Sequence, residues 1–105
     1  MDTQPRLYNL DVMFHRLSLS RALSISTVSL DPETGVFRFV FDAGDVEVSA
    51  DLTVAWIEDK GAAFLQWCEV DRVRTRNQDL ARAVVVWVWE HQREVFEAAL
   101  NAEAA

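Results

Sequence analysis

Val46, Val48, Ala50, Leu52, Val54 and Trp56 alternate with Glu47, Ser49, Asp51 and Thr53. No other feature restricts the fold of this chain so strongly. Successive side chains of a strand point to opposite faces. A period of two held this long predicts a strand with one face in a core and one face wet. Such a strand needs neighbours, and the flanking sequence supplies them.

Before it, "VFRFVFD" places Phe37, Phe39 and Phe41 on one face, and "DAGD" at 42–45 reads as the turn between the two strands. Earlier still, "LSISTVSL" (Leu23 to Leu30) is small and β-branched and predicts another strand. It leads into "DPETG", with Asp31 first, Pro32 where φ near −65° is wanted, and Gly35 at a left-handed exit. After Trp56, "EDKG" at 58–61 makes a third turn and "AAFLQWCEVDRV" a fourth strand. Four strands joined by tight turns predict an antiparallel β-meander.

Two helices complete the expected α+β class. Leu10, Met13, Phe14 and Leu17 follow the i, i+3, i+4, i+7 rule, so Asn9 to about Ser20 predicts a short amphipathic helix behind a loose tail at 1–6. Thr75 and Gln78 match a capping box and predict the start of one long helix, Arg76 to about Ala102. Val84, Val85, Val86 and Val88 each cost such a helix a few tenths of a kcal/mol, and Ala, Leu, Glu, Gln and Arg around them favour it. At 100° per residue, Leu80, Val84, Trp87, Val88, His91, Val95 and Ala98 share the face assigned to the sheet. Val85, Trp89, Phe96 and Leu100 form a second ridge. One helix on one sheet needs one apolar stripe. The second ridge is therefore covered by the N-terminal helix or meets a partner, in a homodimer or a heteromeric contact.

The chain has 105 residues, enough for one domain. Half of them are hydrophobic, which suffices to offset ordering entropy. The formal net charge of −7 argues against nonspecific binding to nucleic acid or to anionic membrane. No apolar run approaches the ~20 residues of a membrane span, and the N-terminus lacks a signal-peptide layout. A cytoplasmic protein is expected. The charge is uneven. Asp42, Asp45, Glu47, Asp51, Glu58 and Asp59 form an acidic stretch without a base, while Arg72, Arg74 and Arg76 form a basic cluster. Ordinary wet faces mix signs, so the acidic stretch is a candidate surface for a basic partner. The basic cluster could grip a phosphate or an acidic segment, or simply be a solvated strand end.

Candidates for catalysis are sparse. Cys68 is the one cysteine, and His15 and His91 the two histidines, with no metal-ligand spacing among them. His91 reads as a core-edge residue and Cys68 as a small strand residue. Glu90, Glu94 and Glu97 read as a solvated helix flank. No cofactor or metal is expected, and no enzyme. A small acidic domain with surplus aromatics on its last helix resembles, in general build only, phage-encoded inhibitors such as anti-CRISPR proteins, and bacterial immunity proteins. No motif matches either residue by residue. The resemblance implies a protein-binding module, an inhibitor that occludes a partner's basic site. Type III secretion chaperones are similar in size, charge and class, but their mid-sheet helix is absent between Val46 and Val73. A phage assembly subunit is a further alternative. An enzyme or ligand-binding domain using His91 or Cys68 is the alternative of a different class.

Overall fold

A computed structural model describes residues 22–105 of the chain. The helix expected at 9–20, the tail at 1–6 and His15 lie outside the described residues. The remainder is a four-stranded antiparallel sheet in the order β1-β2-β3-β4, with two helices after it. The strands are β1 (Leu23–Leu30), β2 (Phe37–Ala43), β3 (Val46–Asp59) and β4 (Ala62–Arg74). The meander expected from the turns is therefore present.

Each connection follows from local chemistry. In the β1–β2 loop an Asp31 carboxylate oxygen accepts from the Glu33 amide at 2.9 Å, and the Gly35 amide donates to the Asp31 carbonyl at 2.8 Å. Gly44, at φ +80°, leads the two-residue β2–β3 turn, where only glycine enters without strain. The β3–β4 turn holds Lys60 at φ +54° and Gly61 at φ +82°. A turn with both central residues left-handed matches the twist of the flanking strands.

Two long strands in register should alternate together, yet β3 and β4 do so only with help. The core side of β4 is Ala63, Leu65, Cys68, Val70 and Val73, whose spacing stretches from two to three twice. The register slips at the same places: Trp56 faces Leu65 while Ala55 faces Trp67, and Leu52 faces Val70 while Asp51 faces Arg72. Gln66 and Asp71 are thus the extra residues of two β-bulges. A similar slip near Ser26 in β1 keeps Ile25 and Val28 on one side.

The predicted single helix is two. α1 (Gln78–Glu90) and α2 (Gln92–Ala104) meet at His91, whose φ of −125° and ψ of 39° are not helical. The His91 amide donates to the carbonyls of Trp87 and Val88, and its own carbonyl accepts from Val95, so it closes one helix and opens the next. Its ring stacks on Trp87 at 4.2 Å between centroids. The ring Nδ1 lies 2.8 Å from the Trp87 carbonyl, an acceptor only, so Nδ1 carries the proton. The start also differs. Asn77, not Thr75, is the cap: its side-chain oxygen accepts from the Leu80 amide at 3.1 Å. Thr75 sits two residues back and accepts from the Asn77 amide.

Both helices lie on one side of the sheet. Phe37, Phe39, Phe41, Val48, Ala50, Leu52 and Val54 meet Leu80, Ala83, Val84, Trp87, Val88, Val95, Phe96 and Ala99 in one core. Phe41 meets Trp87 edge-on at 5.3 Å, and Trp56 meets Phe96 at 5.9 Å.

Candidate protein interfaces

The break at His91 dissolves the second ridge. Val85 and Trp89 remain outside, with Trp89 74% exposed. Phe96 is buried against Trp56, and Leu100 is half-buried against the core. The spacing from Trp89 to Phe96 would hold them on one ridge only in an unbroken helix. One non-helical residue re-aims everything after it.

The acidic stretch is likewise redistributed. β3 places Glu47 and Asp51 on the sheet face away from the helices, but neighbouring strands bring bases to that face. Arg38 of β2 and Arg72 of β4 flank Asp51 in register. Arg74 donates to one Asp51 oxygen at 2.8 Å and Arg38 to the other at 3.4 Å. Partial burial raises the Asp51 pKa, but hydrogen bonds and charge from Arg74 and Arg38 outweigh it and hold the carboxyl below its ordinary value. Next to this group, Thr53 donates to Asp71 at 2.6 Å. The middle of the open face is therefore mixed in sign, not acidic. Asp42 opposes Glu47 beside Asp45 at the β2–β3 turn, one acidic end. Asp59 is at the other end, and Glu58 lies on the helix side, lining a hollow with Trp56 and Glu103. Of the basic cluster, Arg72 and Arg74 are on β4, while Arg76 is exposed beyond its end.

Sequence reasoning missed a second exposed apolar surface, away from Trp89. β2 pairs with β3 only as far as Leu52. Beyond it, Thr53–Asp59 and Ala62–Glu69 continue as a two-stranded arm. One face of the arm, with Trp56 and Leu65, packs toward α2. On the other face Ile57 opposes Phe64, and Trp67 opposes Ala55. Phe64 is 53% and Trp67 47% exposed. Phe64 and Trp67 fall opposite Leu65 and Cys68 only once the bulge at Gln66 is allowed, and that bulge shows only in the pairing with β3.

The two groups considered for catalysis lie elsewhere. Cys68 is on the helix side of β4, where burial pushes its thiol pKa up, the reverse of nucleophile activation. His91 is engaged with Trp87. Among the described residues, no three His, Cys, Asp or Glu side chains come together to hold a metal. No helix among them is long and apolar enough to cross a membrane. No protein-family model matches the chain, and no curated protein or solved structure shows significant similarity to it.

Proposed function

We propose that this chain is a protein-binding module whose docking face is the uncovered side of the β3–β4 arm. The observation that carries the reading is the trio Ile57, Phe64 and Trp67, about half exposed on a ribbon whose other side is packed under α2. Aromatic rings held on a rigid strand bury large area at small entropic cost, as interface anchors do. The mixed-charge group around Asp51 borders the trio and supplies a polar rim.

Asp42, Asp45 and Glu47 extend the same molecule about 30 Å farther along β3 from Ile57. They support a partner with a basic surface, and so an inhibitor that acts by occluding it. Their contribution lies mainly in association rate and specificity and fades with salt.

The test begins with capture and identification of a partner from a plausible host lysate, followed by affinity measurement with the purified pair. Ile57→Thr with Trp67→Thr should weaken binding by about 30-fold or more, the scale of losing an anchor residue. Asp42→Lys with Glu47→Lys should weaken it at low salt and little at high salt. Unchanged affinity in the arm variant would overturn the reading.

A further inference from the structure

Among the described residues β4 is an edge strand, and half of its backbone N–H and C=O groups face outward without a ladder partner there. Its two bulges normally spoil an edge for pairing, because they throw the faces out of phase. Here they are placed symmetrically. The bulge pairs are Gln66/Trp67 and Asp71/Arg72, equidistant from Glu69. Reversing β4 about Glu69 maps Leu65 onto Val73 and Cys68 onto Val70, all core-side positions. It maps Phe64 onto Arg74 and lays each bulge against the other. A second β4, antiparallel and centred on Glu69, thus keeps both faces in phase along nearly the whole strand.

A second observation falls on the same centre. Val85, Val88, Trp89 and Gln92 stand over Cys68, Glu69 and Val70, around a hollow of about 310 Å³. Among the described residues, Trp89 and Val85 are the large apolar side chains that the helix layer leaves exposed. A two-fold axis through Glu69 brings this hollow and its copy side by side. A register centred between Gln66 and Trp67 also holds phase, but it moves each ridge about 8 Å from the axis.

We infer that the chain forms an isologous homodimer through β4, centred on Glu69, with Val85 and Trp89 meeting their copies above the joined sheet. The strand edge, about 40 Å long and one ~10 Å sheet layer deep, presents roughly 400 Å². The helix layer above adds several hundred more, which approaches the ~800 Å² per partner of a standard interface. The result is one eight-stranded sheet with both arms' bare faces on the same side. The dimer leaves that face open for the docking proposed there, because it uses the outer edge of β4 and the helix side, although it sets Phe64 and Trp67 beside Arg74 and Asp71 of the copy.

Three variants of the full chain test it. The dyad sets Glu69 against its own copy, so Glu69→Gln should tighten the dimer, by about two- to fivefold for a cross-strand charge pair. Trp89→Glu should weaken it at least tenfold with the circular dichroism unchanged. Val70→Cys sets a thiol opposite Cys68 of the copy, at disulfide distance. Mild oxidation should then give a covalent dimer, whereas the parent, with its two Cys68 residues diagonal, should not cross-link. Sedimentation at about 1 to 100 µM brackets a moderate dimer. A parent chain that stays monomeric over that range overturns the inference. So does a dimer that Glu69→Gln leaves unchanged and Val70→Cys does not cross-link, since its interface would lie elsewhere.

Discussion

Phe37, Phe39 and Phe41 on β2 and Ile57, Phe64 and Trp67 on the arm are the same kind of residue in the same kind of strand. The first three are buried and the second three are about half exposed. The difference is not hydrophobicity but what covers each face. β2 turns its phenylalanines toward α1 and α2, while the arm turns its trio away from both helices. The lesson is that an apolar strand position says only that a cover is wanted. In one region the cover is the chain's own helices, and in the other we assign it to a partner.

The largest expected contrast is between two tryptophans on one helix. Trp87→Ala should cost about 3–5 kcal/mol in a urea melt, because the ring is buried against Phe41 and His91. Trp89→Ala should cost under about 1 kcal/mol in the monomer, as expected of an exposed site. Equal, large losses would erase the distinction between covered and uncovered surfaces.

A smaller effect sharpens the charge side of the comparison. The folded-state pKa of Asp51 is depressed, so its ion pairs stabilise the fold above the unfolded-state pKa near 3.8 and lose that contribution as pH falls through the folded value. Asp51→Asn should lower stability by about 1 kcal/mol at pH 7, since the arginines are substantially exposed. The gap between parent and variant should begin to narrow below about pH 4 and close only once the pH has passed the depressed folded value. A gap independent of pH would mean that Asp51 acts by packing alone.

Smallest of all is the arm's own turn. Lys60 at φ +54° pays the left-handed cost that Asn tolerates. Lys60→Asn should stabilise by about 0.5 kcal/mol in the same melts, without altering partner binding.

Much of this fold was legible in the residues. Turns at Asp31–Gly35, Gly44 and Gly61 and the alternation of β3 led to the right strand order, because each is a local cause. The break at His91 was not legible: no Gly or Pro marks it, and the Val84–Trp89 run suits a continuous helix as well as an interrupted one. The bulges at Gln66 and Asp71 show only in pairing with β3, so the arm's bare face stayed hidden. The acidic stretch misled for a related reason. Reading along β3 finds Asp51 among acids, whereas Arg38 and Arg74 arrive from strands 13 and 23 residues away in sequence.

The most direct test of the covered-versus-uncovered account is a urea melt, at one low concentration, of a chain carrying Ile57→Thr, Phe64→Thr and Trp67→Thr together. Threonine keeps the strand propensity and removes the apolar surface. The account predicts a midpoint corresponding to less than about 1.5 kcal/mol of lost stability for all three, against about 3–5 kcal/mol for Phe39→Ala alone. A triple variant that loses as much as Phe39→Ala would contradict it, because the arm's face would then belong to the fold rather than to an interface.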